Sequence, residues 1–86
     1  MKVEKRNGSL VDFEAIKIQK AIESAMMETI DGVDSQLSKE ISLKVMHDLE
    51  LEKDVVRIEE IQDMVEILLM SSIRKDVAKR YILYRS

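Results

Sequence analysis

The chain opens on Lys2-Val3-Glu4-Lys5-Arg6-Asn7-Gly8-Ser9-Leu10-Val11-Asp12-Phe13, and this stretch decides the fold. Two segments with alternating side chains, 2–6 and 9–13, flank Asn7-Gly8. That dipeptide best tolerates the two positive φ angles of a type I′ turn, so the stretch predicts a β-hairpin. An isolated hairpin is only marginally stable in water, and we therefore expect the rest of the chain to supply a surface on which it packs.

Four later segments predict helices that supply this surface. We expect helices over about Glu14 to Thr29, from Asp34-Ser35 onwards, over about Glu59 to Ser72, and from about Lys75. In each segment apolar residues recur every three or four positions, which is the period of an amphipathic helix. The residues expected to face the core are Ile18, Ala21, Ile22, Ala25, Met26, Leu37, Ile41, Val45, Leu49, Ile61, Met64, Val65, Leu68, Val77, Ala78, Tyr81 and Ile82.

Local signals complete the predicted plan. Asp12 is placed to cap the first helix, and Asp34-Ser35 offers two good N-cap residues for the second. The segment Lys53 to Ile58 contains two adjacent valines and predicts a short third strand. The expected fold class is α+β and mostly helical: a four-helix bundle capped by a small two- or three-stranded sheet. We expect a single domain over residues 1–86.

Composition excludes several classes of protein. The chain has 86 residues and no cysteine, which rules out disulfide scaffolds, cysteine-ligated zinc, iron–sulfur clusters and thiol catalysis. No apolar run approaches the roughly 20 residues of a membrane-spanning helix. Nothing signal-like opens the chain. We therefore expect a soluble cytoplasmic domain with no membrane partner.

Basic residues concentrate at the start of the chain. The net charge of −3 argues against non-specific nucleic-acid binding, yet residues 1–20 carry five bases against three acids. Lys5 and Arg6 end a predicted strand, and Lys17 follows one turn into the first helix. A helix N-terminus with such cations nearby is a good polyphosphate site. From the pattern alone, ordinary solvated surface charge remains the favoured interpretation.

Three blocks of sequence resemble the ATP-cone family. Val3-Glu4-Lys5-Arg6-Asn7-Gly8, followed by Val11-Asp12-Phe13-Glu14 and Lys17-Ile18, is similar to the opening signature of that family. The later blocks Ile58-Glu59-Glu60-Ile61-Gln62-Asp63-Met64-Val65-Glu66 and Val77-Ala78-Lys79-Arg80-Tyr81-Ile82-Leu83-Tyr84-Arg85 resemble its second signature and its close. The blocks occur in family order over nearly the whole chain. The resemblance implies a regulatory domain that binds ATP and dATP for ribonucleotide reductases.

The resemblance also implies roles for individual residues. The strand carrying Val3 would lie along the nucleotide, and Lys5, Arg6 and Lys17 would meet its phosphates. Side chains around the base, and one C-terminal cation near the phosphates, complete the implied site: Ile18, Ile61, Gln62 and Arg85. The implied effector is ATP or dATP together with Mg²⁺. The implied partners are a reductase catalytic domain or subunit and other cones, through self-association.

Other functions fit less well. The main alternative is a degenerate cone that acts as a helical protein-interaction module without binding nucleotide. Reductase-gene repressors carry an ATP-cone behind a cysteine-ligated zinc ribbon, and since this chain has no cysteine we expect no DNA binding. An enzyme ranks last, because a reductase needs catalytic cysteines and a large barrel. We therefore expect a regulatory domain and not an enzyme.

Overall fold

The computed structural model describes residues 1–85 and confirms the predicted α+β, mostly helical class. The strands and helices, in chain order, are β1 (Lys2–Glu4), β2 (Leu10–Asp12), α1 (Ala15–Met26), α2 (Ser35–Glu50), β3 (Val55–Arg57), α3 (Ile58–Met70) and α4 (Lys75–Arg85). The predicted third strand is present, and each predicted helix is found within a few residues of its expected bounds.

The sheet joins the start of the chain to its second half. Its strand order is β2-β1-β3, so β1 lies in the middle. Val3 faces Val11 in the antiparallel hairpin and Val56 in the parallel β1–β3 pair. Both Val3 and Val56 are buried. The sheet therefore packs on the bundle through its central strand and fixes the hairpin next to the start of α3.

The hairpin is present, but its turn differs from the predicted type I′. Gly8 has a φ of +86°, whereas Asn7 has a negative φ. Lys5 pairs with Ser9 across a three-residue loop, and the Gly8 amide donates to the Lys5 carbonyl. The Asn7 side chain accepts hydrogen bonds from both the amide and the hydroxyl of Ser9. That local bonding favours a turn closed by one left-handed glycine over one with two left-handed residues.

The prediction that Asp12 caps α1 is also wrong. Glu14 occupies the N-cap position, and its side chain makes no capping hydrogen bond. Asp12 instead ends β2, where its carboxylate accepts a hydrogen bond from the Lys2 ammonium across the hairpin. Because the cross-strand partner holds Asp12, the first amide groups of α1 have no side-chain cap. The helix also ends at Met26 and not at Thr29, in a turn that leads to Gly32 at a φ of +72°.

The core lies between the four helices and the inner face of the sheet. Each helix contacts two others, in the order α1–α2–α3–α4 and back to α1, which is the arrangement of a bundle. The fully buried side chains include Ile22, Met26, Val45, Val65, Leu69 and Val77. The predicted apolar faces supply this core, although six of the predicted residues are only partly buried: Ile18, Ala21, Leu37, Met64, Leu68 and Ile82.

The predicted cap of α2 is confirmed and can be tested. The Asp34 carboxylate accepts a hydrogen bond of 3.1 Å from the Leu37 amide. We expect Asp34→Ala to lower the free energy of unfolding by about 1 kcal/mol, because the Leu37 amide in the first turn of α2 then loses its hydrogen-bond partner. Urea unfolding followed by circular dichroism measures this change. Asp31→Ala, at a nearby exposed position, is the control, and an equal loss in both variants would contradict the capping role.

Candidate functional site

A cleft of about 290 Å³ opens where the hairpin, the start of α1, the start of α3 and the end of α4 meet. The hairpin contributes Val3, Lys5 and Val11, and α1 contributes Lys17 and Ile18. The other lining residues are Asp12, Phe13, Glu14, Ala21, Ile58, Ile61, Gln62, Tyr81 and Tyr84. The cleft therefore depends on contacts between both ends of the chain and its middle.

The walls of the cleft are mostly apolar. Phe13, Ile61 and Tyr81 are buried, and Ile18 is partly buried. The rings of Tyr81 and Tyr84 lie 6.2 Å apart with an interplanar angle of 34°. Burial raises the pKa of the Tyr81 hydroxyl to about 12, so this group remains neutral at physiological pH. Such walls suit a flat, largely apolar ligand group with a few polar edges.

Cationic groups lie at the mouth of the cleft. Lys5 is exposed, and its ammonium forms no ion pair with any other residue between 1 and 85. The Lys17 ammonium lies 2.9 Å from the Glu14 carboxylate. Both lysines line the cleft, and Lys17 lies in the first turn of α1, whose N-cap residue Glu14 makes no capping hydrogen bond. Two cations beside an uncapped helix start form an anion-attracting surface.

Arg6 lies at the tip of the hairpin and bridges to α3 and α4. Its Nη2 lies 3.4 Å from the Gln62 side-chain oxygen and 3.2 Å from the Arg85 backbone carbonyl. Its Nε lies 3.7 Å from a carboxylate oxygen of Glu59. Gln62 lines the cleft, so these contacts place the Arg6 guanidinium beside the cleft mouth.

The Arg85 guanidinium points toward α3 and not into the cleft. Its Nη1 donates to Asp63 at 2.8 Å and lies 3.4 Å from a Glu66 carboxylate oxygen. The side chain is only 16% exposed. Two acidic partners therefore already offset its charge.

Six of the eight residues predicted for the site line the cleft: Val3, Lys5, Lys17, Ile18, Ile61 and Gln62. Arg6 contacts Gln62 at the edge of the cleft, and Arg85 does not line the cleft. The prediction gave Phe13, Tyr81 and Tyr84 no role in the site, although it expected Tyr81 to face the core. The two tyrosines are three positions apart, a spacing that places both on one helical face. This spacing is the sequence signal that could have assigned both to the site.

Within residues 1–85, no group of three or more histidine, cysteine, aspartate or glutamate side chains is arranged to hold a metal ion. No helix in this range has the length and apolar character that crossing a bilayer requires.

The fold and the cleft together define a small α+β, mostly helical protein with an apolar pocket and cations at its mouth. The family model of the ATP cone domain matches residues 1–86, and the chain belongs to this family.

Relatives of the chain are ribonucleotide reductases. It is 42% identical to the vitamin B12-dependent ribonucleoside-diphosphate reductase of Thermoplasma acidophilum, over 96% of this chain and 11% of that protein. It is 39% identical to the ribonucleoside-diphosphate reductase subunit alpha of Chlamydia pneumoniae, over 94% of this chain and 8% of the relative. The corresponding subunit of Chlamydia trachomatis is 34% identical over 94% of this chain and 9% of its own length. The chain thus spans about a tenth of each relative.

Proposed function

We propose that residues 1–86 act as one regulatory domain that binds ATP or dATP and passes its occupancy to a ribonucleotide reductase. The observation that carries the proposal is the pairing of an apolar cleft with Lys5 and Lys17 at its mouth, beside the uncapped start of α1. Membership of the ATP-cone family and the reductase relatives support it. We place the domain in the cytoplasm, where nucleotide and reductase meet.

The proposed pose follows the chemistry of the cleft. The base lies among Ile18, Ile61 and the tyrosines, where apolar contact and stacking stabilise it. The Gln62 amide offers both a donor and an acceptor to the edge of the base. The phosphates lie toward Lys5 and Lys17, where charge-assisted hydrogen bonds are strong. Val3 then lies along the nucleotide, and Arg6 and Arg85 approach the phosphates only by leaving their present partners.

Magnesium is part of the proposal in a limited way. Asp12 and Glu14 are the carboxylates that line the cleft. Two carboxylates form no complete cage, and Mg²⁺ commonly combines one or two of them with phosphate oxygens and water. The ion would thus enter with the nucleotide and offset phosphate charge. We propose binding without hydrolysis, since both carboxylates of the cleft already have a lysine partner, Asp12 with Lys2 and Glu14 with Lys17.

Calorimetric titration of the 86-residue chain with ATP, dATP and GTP, each with Mg²⁺, tests the proposed function. We expect saturable heat with the adenine nucleotides. Absence of binding by ATP and dATP at millimolar concentration would refute the proposal.

A second function, protein interaction, has one specific observation in its favour. At the far end of the bundle a groove runs between the loop after α1 and the outer face of α4. Ile30 and Ile73 line it and are almost wholly exposed, which is unusual for large apolar side chains. Glu28 and Asp31 lie on one wall, whereas the α4 wall is net basic, with three bases and one acid: Lys75, Lys79, Arg80 and Asp76. The opposed charges of the walls make a second copy of the chain a complementary occupant, in line with self-association through cones.

Self-association through this groove is testable with one substitution. We expect Ile73→Lys to weaken the concentration-dependent dimerisation of the chain at least tenfold, because it buries a charge in the contact. Sedimentation equilibrium measures the dimerisation. The control is Ile67→Lys, at an exposed position of α3 outside the groove. A monomeric wild-type chain at millimolar concentration, or equal weakening in both variants, would contradict the proposal.

Substitution of the two lysines of the cleft distinguishes the two proposed functions. If the chain were only an interaction module, Lys5→Ala and Lys17→Ala would leave all measured behaviour unchanged. If it senses nucleotide, these substitutions weaken binding while the melting temperature stays close to that of the wild type.

A further inference from the structure

Arg6 connects three parts of the molecule that are distant in sequence. Its guanidinium contacts Glu59 and Gln62, one turn apart on α3, and also the Arg85 carbonyl at the end of α4. Arg6 thus ties the hairpin tip to both C-terminal helices.

The contacts of Arg6 are weak enough to exchange. The Glu59 contact is 3.7 Å long, and the Arg6 side chain is 61% exposed. Exposed ion pairs of this kind contribute little to stability. Phosphate oxygens bind a guanidinium through shorter, charge-assisted and often bidentate hydrogen bonds. A triphosphate at the cleft mouth therefore competes favourably for Arg6.

We propose that Arg6 is a latch that nucleotide opens. Without nucleotide, Glu59 and Gln62 hold Arg6 on the Arg85 carbonyl. When phosphates bind beside Lys5, the Arg6 guanidinium moves to them and releases that carbonyl. Occupancy of the cleft thereby changes the hydrogen bonding of the Arg85 carbonyl on α4. This inference rests on the proposed nucleotide binding and assigns Glu59, which does not line the cleft, as a positioning residue for Arg6.

The latch has a thermodynamic consequence. Any contact that stabilises the closed latch must lower the affinity for nucleotide, because the two states are linked. Loss of the Glu59 charge should therefore tighten ATP binding. An exposed ion pair corresponds to an effect of about two- to fivefold.

A double-variant cycle separates the latch from a simple field effect. Calorimetry with ATP should show Glu59→Gln binding about two- to fivefold more tightly than the wild type. In an Arg6→Gln background the same change should have no effect, since nothing remains for Glu59 to hold. Glu59 also lies 3.8 Å from Arg57, and any effect through that residue would persist without Arg6. Glu40→Gln, the same charge change at an exposed position of α2 that lines neither the cleft nor the groove, is the control and should bind as the wild type does.

The carbonyl of Arg85 gives a second readout that does not depend on affinity. Its ¹³C chemical shift should move on ATP addition, and Arg6→Gln without ATP should show a similar shift. Tightening by Glu59→Gln that persists in Arg6→Gln, or no tightening at all, would overturn the latch while ATP binding stands. An unchanged Arg85 shift in Arg6→Gln would also overturn it. Failure of the wild-type chain to bind ATP would overturn both the latch and the proposed function.

Discussion

Lys5→Gln is expected to weaken ATP binding by about ten- to a hundredfold. Lys5 lines the cleft mouth, and its ammonium has no ion pair within residues 1–85. It can therefore meet a phosphate without leaving a partner. A hydrogen bond to a charged group contributes about 1.5–3 kcal/mol, and each 1.4 kcal/mol is a factor of ten in affinity.

The measurement is calorimetric titration with ATP at fixed ionic strength. Lys17→Gln should have a smaller effect, because Lys17 must give up its 2.9 Å contact with Glu14 before it binds phosphate. Lys39→Gln, at an exposed position of α2, is the control for a general change in charge. If Lys5→Gln bound ATP as tightly as Lys39→Gln does, the proposed phosphate position would be wrong.

Leu69→Ala is expected to remove about 2–5 kcal/mol from the free energy of unfolding. Leu69 is completely buried on α3, so truncation removes apolar contacts and leaves a cavity. A domain of this size is stabilised by only about 4–13 kcal/mol. The melting temperature should therefore fall by about 10 °C or more.

Thermal and urea unfolding followed by circular dichroism test this expectation. Leu43→Ala, at a half-exposed position of α2, makes the same chemical change outside the core and should cost less than 1 kcal/mol. Similar losses in the two variants would contradict the core assignment. The Leu69 and Lys5 variants together separate damage to the fold from damage to the cleft, since Lys5→Gln should leave the melting temperature nearly unchanged.

Periodicity predicted most of the fold because each helix buries one continuous face. Asp34 was predicted as a cap because its bond to Leu37 lies within one helical turn. Two local predictions were wrong because a side chain forms a hydrogen bond with a partner that was not predicted. Asn7 bonds Ser9 and changes the turn, and Asp12 bonds Lys2 across the hairpin and leaves α1 uncapped.

The candidate site was less predictable, because it depends on how distant segments meet. Lys5 and Lys17 lie close in sequence, and the ATP-cone resemblance singled them out. The spacing of Tyr81 and Tyr84 places both on one face of α4, but the packing of this face beside α1 is a tertiary contact. Nor does spacing alone indicate that Asp63 and Glu66 hold the Arg85 guanidinium. Tertiary contacts decided these positions.

The parallel pairing of β1 with β3 also bears on how the chain folds. Val3 meets Val56, and about fifty residues must be enclosed before that ladder forms. Such non-local contacts slow folding relative to a helical bundle with local contacts only. The cleft needs this pairing and α4 as well, so it exists only in chains in which both are in place. Ligand binding thus reports that folding is finished, and partly folded chains contribute no binding signal.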